Sequence, residues 1–170
     1  MNFLRLNLYA LTLVVACLGL SASASAQIVA LGASNTAGYG LSRSESFPAQ
    51  LEAMLRAKGS NTTVINAGVS GETSAETLSR VSSAVPAGTK IVILNVFSFN
   101  DTRKGIPSTV TSQNIQTIKS QLSSRGIKVI DSSGITRAVS RQPGMLQPDH
   151  IHLTAEGQRR VAAQLLGMVR

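Results

Sequence analysis

Four short apolar runs rich in β-branched residues constrain the fold of this chain more than any other feature. They cover residues 28–31, 63–65, 90–96 and 127–130, and each is typical of a short buried β-strand. Between and after them lie segments whose apolar residues share one helical face. We expect four helices, marked in turn by Pro48 and Gly59, by the capping box from Thr73 to Glu76, by the stop at Gly126, and by the start after Thr154.

Alternation of strands and helices implies right-handed crossover connections, a parallel sheet and helices on both of its faces. The predicted fold is therefore a three-layer α/β/α sandwich with a short parallel sheet of about four strands.

Residues 1–26 have the layout of a secretory signal peptide. Arg5 precedes an apolar stretch over residues 6–20, and Ala24-Ser25-Ala26 forms a cleavage site of small residues. The apolar stretch is short for a membrane span of about 20 residues, which disfavours an anchor. A lipoprotein cleavage box at Cys17 is the weaker alternative because it ignores the Ala-x-Ala site. We predict export to the periplasm or the medium, and a mature domain over 27–170 without an integral membrane span.

Composition limits the partners of this mature domain. Cys17 is the only cysteine, so disulfides and thiolate metal sites are excluded after cleavage. The net charge, +8 for the full chain and +7 once Arg5 is removed, first suggests nucleic acid, but the chain lacks Trp and has no basic run with interleaved aromatics. A basic surface that favours anionic lipids or envelope polymers is the better interpretation, and no nucleic-acid partner is predicted.

Three of the predicted strands are followed by loops with residues that can take part in catalysis, at the edge where a parallel sheet binds ligands. Ser34 lies in the turn after the first run, Gly71 lies in a glycine-rich loop after the second, and Asn100 follows the third. Taken alone, the serine is more typical of a capped turn than of a nucleophile. The Gly71 loop suits anion binding or plain structure, and Asn100 suits an oxyanion donor or an Asn-Asp turn.

Both histidines lie in the stretch PDHIHLT, residues 148–154. Asp149 precedes His152 by three residues, so its carboxylate can accept a hydrogen bond from Nδ1–H and leave Nε2 free as a base. His150 is adjacent to Asp149, and we expect its side chain to point away and His150→Ala to be tolerated. Asp149, His150 and His152 are also metal-ligand types, but too few further ligands exist, so neither metal nor cofactor is predicted.

The four loops together resemble the motif blocks of the SGNH/GDSL hydrolase family, in the order that the family has them. The blocks read IVALGASNTAGYG, VINAGVSGETS, FND and DHIH. The chain is most similar to the branch of periplasmic, multifunctional acyl-CoA thioesterase I, lysophospholipase and arylesterase enzymes.

This resemblance implies a flavodoxin-like SGNH hydrolase fold and a serine hydrolase that cleaves carboxylic esters or thioesters of small acyl substrates through an acyl-enzyme. It implies Ser34 as nucleophile, with Asp149 and His152 completing the triad. The oxyanion hole would consist of the Ser34 and Gly71 N–H groups and the Asn100 side chain.

The chain also departs from the family pattern. Ala33, Ser98 and Leu153 stand where aspartate, glycine and proline are usual, and only 17 residues separate Asp131 from Asp149. The short segment implies a smaller sheet and a more open acyl pocket, and a side chain at Ser98 is expected to crowd the substrate. Two alternatives stay open, a carbohydrate O-acetylesterase of the same fold and a non-catalytic basic binding module.

Overall fold

The computed structural model describes residues 27–169, so the predicted signal peptide lies outside the described residues. Its sheet has four parallel strands in the order β2-β1-β3-β4. Their bounds are β1 Gln27–Gly32, β2 Val64–Gly68, β3 Thr89–Asn95 and β4 Lys128–Asp131. Each strand coincides with one of the predicted apolar runs to within a few residues.

The helices complete a three-layer α/β/α sandwich, which confirms the predicted fold class. They are α1 Ser34–Ala37, α2 Phe47–Ala57, α3 Ser74–Ser79, α4 Val81–Ala84, α5 Phe99–Arg103, α6 Ser108–Ser124, α7 Ser133–Ser140 and α8 Ala155–Leu166, with a 3-10 turn at Arg43–Glu45. The four predicted helices correspond to α2, to α3 with α4, to α6 and to α8. Within residues 27–169, no helix combines the length and apolar character that a membrane crossing requires.

Alternate residues of the strands supply two separate cores, one on each face of the sheet. Ile28, Ala30 and Ile93 pack with apolar side chains of α2 and α8. Val29 and Leu94 point to the opposite face, where they pack with side chains of α4 and α6. Because both faces are covered, the central strands are apolar at nearly every position, as buried parallel strands are.

Helix α7 was not predicted from the sequence. It occupies the short segment between Asp131 and Asp149, where the structure has no further strand among the described residues. Buried Asn95 fixes its first turn, because the Asn95 Nδ2 group donates to the Ser132 and Thr136 hydroxyls at 2.9 and 2.8 Å. Ile135 and Val139, four residues apart, pack on the core. The shortened segment thus keeps a helix and the sheet stays at four strands.

The strand order reverses direction between β1 and β3, and this switch point positions the functional loops. The crossover after β1 leads to β2 on one side of the sheet, whereas the crossover after β3 leads to β4 on the other side. Gly32 ends β1 in close contact with β3, since a Cβ placed there would lie 2.3 Å from the Asn95 carbonyl oxygen. The loop carrying Ser34 and the loop carrying Asn100 therefore open on a common crevice.

A buried carboxylate joins three helices behind this crevice. Asp101, fully buried on α5, accepts hydrogen bonds from the Ser74 N–H at 2.8 Å, the Ser74 hydroxyl at 2.5 Å and the Thr111 hydroxyl at 2.6 Å. Burial raises the pKa of Asp101, but these hydrogen bonds outweigh burial and hold the pKa below its usual value. The ionised carboxylate thus ties α5 to the start of α3 and to α6.

Replacing Asp101 by Asn is expected to lower the free energy of unfolding by about 1.5–3 kcal/mol, the range for hydrogen bonds to charged groups. Because the folded-state pKa is depressed, this contribution is fully present above the unfolded-state pKa of about 3.9 and is lost as the pH falls through the folded-state pKa. Urea denaturation at neutral pH and below pH 4 measures the difference. Asp131→Asn is the comparison for size: burial raises the pKa of Asp131 and its bonds with Lys119 and Ser133 lower it, as at Asp101, but the side chain is 37% exposed, so its substitution should cost less at neutral pH. If the difference in unfolding free energy between the parent protein and Asp101→Asn does not shrink on acidification, this account is contradicted.

Candidate active site

The turn after β1 presents Ser34 at the first position of α1. Ala33 lies outside both the helical and the usual extended region at φ −100° and ψ −141°, and the turn closes with hydrogen bonds from the Thr36 and Ala37 N–H groups to the Ala33 carbonyl at 3.1 and 2.9 Å. Gly38 ends the helix in the left-handed region at φ 80°, a conformation that glycine adopts without a steric penalty. Ser34 is half-buried and lines a cavity at the carboxyl edge of the sheet.

The loop before α8 pairs Asp149 with His152. Asp149 Oδ2 lies 2.6 Å from His152 Nδ1, and Asp149 Oδ1 accepts the N–H groups of Ile151 and His152 at 2.9 and 3.0 Å. The His152 N–H, the His152 ring and the Ile151 N–H hold the pKa of Asp149 well below its ordinary value. An ionised Asp149 accepts a hydrogen bond from the Nδ1–H group of His152, so the neutral imidazole carries its free lone pair on Nε2.

The His150 side chain forms no hydrogen bond with this carboxylate and has a different place in the loop. Its backbone lies in the left-handed region at φ 58°, which is unusual for a residue other than glycine. Its N–H donates to the Gln147 carbonyl at 2.9 Å, and its exposed side chain lines the cavity together with Ile151. The loop thus turns His150 toward the cavity and His152 toward Asp149.

Asn35, next to Ser34, fastens the nucleophile turn to the His152 loop. Its side-chain oxygen accepts the Leu153 N–H at 3.0 Å, and its carbonyl accepts the Gln158 side-chain amide at 2.9 Å. Buried Gln158 also accepts the Phe47 N–H at 2.9 Å, so α8, α2 and the turn form one unit. The Tyr39 ring packs on His152 with ring centroids 4.4 Å apart. These contacts hold the imidazole beside the turn that carries Ser34.

The loops after β2 and β3 meet on the other side of the turn. Gly71 has φ 84° and a Cβ there would meet no neighbour, so the glycine is required by backbone conformation and not by space. Among the described residues no group accepts the Gly71 N–H. Asn100 donates one amide hydrogen to the Glu72 carbonyl at 2.7 Å, which leaves its second amide hydrogen for another acceptor. Asn100 lines the same cavity as Ser34.

Arg80 locks these loops to the ends of two strands. Its guanidinium binds Glu72 through Nε and a terminal nitrogen at 2.5 and 2.6 Å, and the terminal nitrogen also reaches the Gly32 and Ala67 carbonyls at 3.2 and 3.0 Å. Both side chains are largely buried, with 20% of Arg80 and 11% of Glu72 exposed. Since Glu72 also holds Asn100, this ion pair connects the ends of β1 and β2 to the predicted oxyanion donors.

The cavity has a volume of about 460 Å³, within the usual size range of small-molecule sites. Ser34, Asn100 and the aromatic rings of Phe97 and Phe99 are among its lining residues, whereas Gly71, Asp149 and His152 are not. Ser98 also lines it, in a helical backbone conformation at φ −72° that any residue adopts. The serine therefore replaces the usual glycine without backbone strain, and its side chain adds to the cavity wall.

Sequence reasoning named candidate catalytic residues but missed the residues that position their loops. Glu72, Arg80, Asn35 and Gln158 act across 8 to 123 positions of the chain, so local patterns carried no signal for their contacts. Asp101 follows Asn100 directly and was interpreted only as part of a turn. Within residues 27–169, no three His, Cys, Asp or Glu side chains come close enough to hold a metal ion.

Comparison with known proteins bears on this arrangement. Residues 30–147 match the model of the GDSL-like Lipase/Acylhydrolase family. An arylesterase from Vibrio mimicus is 31% identical over 114 residues, which cover 67% of this chain and 57% of that protein's length.

Solved structures show the same architecture. The crystal structure of TesA superposes with a TM-score of 0.72 at 22% identity, over 85% of this chain and 98% of TesA. The esterase AlinE4, an SGNH hydrolase, superposes with a TM-score of 0.61 at 28% identity, over 85% of this chain and 95% of AlinE4. With the family model spanning most of the chain, these matches confirm the resemblance inferred from the motif blocks: the chain belongs to the GDSL-like lipase/acylhydrolase family.

Proposed function

We propose that this protein is a serine hydrolase that cleaves carboxylic esters or thioesters through an acyl-enzyme on Ser34. The observation that carries the proposal is the short bond between Asp149 and His152, held by Asn35 beside the turn of Ser34. Family membership and the esterases among the similar proteins support the same reaction class.

In the proposed first step, Ser34 Oγ attacks the acyl carbon while His152 Nε2 takes the hydroxyl proton. The carboxylate of Asp149 stabilises the imidazolium that forms. His152 then returns the proton to the leaving alkoxide or thiolate as the bond between the acyl carbon and the leaving group breaks. Water repeats the sequence on the acyl-enzyme, which releases the acid and restores Ser34.

The negative charge of the tetrahedral intermediate requires preorganised donors. We assign this role to the N–H groups of Ser34 and Gly71 and to the free amide hydrogen of Asn100. The Gly71 N–H has no acceptor among the described residues, and Asn100 is oriented through its other amide hydrogen on Glu72. Donors that are fixed but unused in the resting protein suit a charge that develops only during the reaction.

The proposed site of action is outside the cytoplasm. The support for export is the pattern of Arg5, the apolar stretch and the Ala-x-Ala site in residues 1–26. An exported, basic esterase would meet anionic lipid and envelope surfaces before most other partners.

Substituting Ser34 by Ala tests the nucleophile. We expect the kcat/KM for p-nitrophenyl acetate to fall at least roughly 10⁴-fold, since the substitution removes the attacking oxygen beside the Asp149–His152 pair. Circular dichroism and the thermal midpoint should stay as in the parent protein, which separates loss of chemistry from loss of fold. Undiminished turnover in a folded Ser34→Ala variant would refute the mechanism.

The two histidines provide a matched pair for the general base. His152→Ala should lower kcat by roughly 10³-fold or more, because the base and its link to Asp149 disappear together. His150→Ala removes a side chain that only lines the cavity, so kcat should stay within about tenfold and any change should fall on KM. Steady-state kinetics of both variants on one ester gives the answer. The reverse ranking would mean that the base has been assigned to the wrong histidine.

A further inference from the structure

The cavity at Ser34 combines apolar walls with two arginines and lacks a counter-ion. Phe97, Phe99 and Ile151 supply apolar surface, and Arg103 and Arg137 stand at the wall on α5 and α7. No Asp or Glu belongs to the lining. An apolar pocket with a few convergent charged groups is the usual form of a selective small-molecule site.

Neither arginine has an acidic partner within residues 27–169, although two nearby cations do. Arg80 pairs with Glu72, and Lys104, next to Arg103, pairs with Glu76. The chain has 8 acidic residues, and each of them bonds a partner other than the two cavity arginines. Their charges therefore remain available to a ligand.

The fold places both arginines at the cavity. The Arg103 guanidinium carbon lies 5.8 Å from the centre of the Phe99 ring, a cation–π contact that keeps it along the wall. Arg137 directly follows Thr136, whose hydroxyl accepts the Asn95 amide at 2.8 Å and so anchors this turn of α7 to β3. The two residues stand on separate elements that meet at the end of β3, beside the crevice.

We propose that the cavity selects esters whose acyl chain carries a carboxylate or phosphate group. Arg103 and Arg137 bind this anionic group, and the apolar walls contact the part of the substrate between it and the scissile carbonyl. Guanidinium groups bind carboxylates and phosphates through paired N–H donors, and both anions share this chemistry. The inference rests on the proposed ester hydrolysis at Ser34 and adds a substrate class to it.

Three p-nitrophenyl esters with the same leaving group test the proposal: the neutral hexanoate, the adipate monoester with a terminal carboxylate, and the 6-phosphonooxyhexanoate with a terminal phosphate. The protein should hydrolyse at least one charged ester with a higher kcat/KM than the neutral ester. The charged ester with the higher kcat/KM shows whether the cavity prefers a carboxylate or a phosphate. In the Arg103→Gln/Arg137→Gln variant, the ratio of charged to neutral kcat/KM should fall roughly tenfold or more.

Arg141→Gln is the matched control, because Arg141 is an exposed residue at the end of α7 that does not line the cavity. It removes the same charge and should leave the ratio unchanged. An equal fall in this control would reveal a general effect of surface charge and overturn the subsite. An unchanged ratio in the double variant would do the same.

Binding without turnover separates this inference from the proposed function. Titration calorimetry of the Ser34→Ala variant should show that hexyl phosphate or hexanoate binds at least roughly tenfold more tightly than 1-hexanol. If every ester resists hydrolysis but this preference is present, the proposed reaction fails and the anion subsite stands. If no preference is present, the subsite fails, whatever the rates of hydrolysis.

Discussion

The ion pair between Arg80 and Glu72 is the interaction on which the arrangement of the site depends. The ends of parallel strands carry carbonyl groups that need hydrogen-bond donors once helices cover the sheet. Arg80 satisfies those of Gly32 and Ala67, and Glu72 balances its charge. A largely buried guanidinium without a carboxylate is costly, so neither partner is dispensable alone. Through the Glu72 carbonyl the same pair orients Asn100, which couples the sheet to the proposed oxyanion hole.

The opposite side of the nucleophile turn is held by neutral hydrogen bonds. Asn35 and Gln158 connect the turn to α8 and α2, and the Asp149–His152 pair extends from the start of α8. Ser34 thus lies between a charged connection on the β2 side and an amide connection on the α8 side. Four strands are sufficient to position the loops of the site, because these contacts fix each loop. The shortened segment before Asp149 contains only α7.

The elements that local chemistry determines were predictable from the sequence. The capping box of Thr73 and Glu76 starts α3 in the structure, with the Glu76 N–H donating to the Thr73 hydroxyl at 3.2 Å. The buried strands and the three-residue spacing of Asp149 and His152 also follow from short patterns. Helix α7 has only eight residues, and its apolar pair Ile135 and Val139 is too short a pattern to predict a helix from the sequence. The contacts of Arg80, Asn35 and Gln158 depend on strand order, which no local pattern specifies.

The central claim of this account is that Ser34 is the nucleophile, and covalent labelling measures it most directly. A fluorophosphonate should add one phosphonyl group to the folded protein, as the serine oxygen displaces fluoride. Intact-mass spectrometry should record a single addition, and peptide fragmentation should place it on Ser34. Absence of labelling in correctly folded protein, or a label on another residue, would contradict the proposed mechanism.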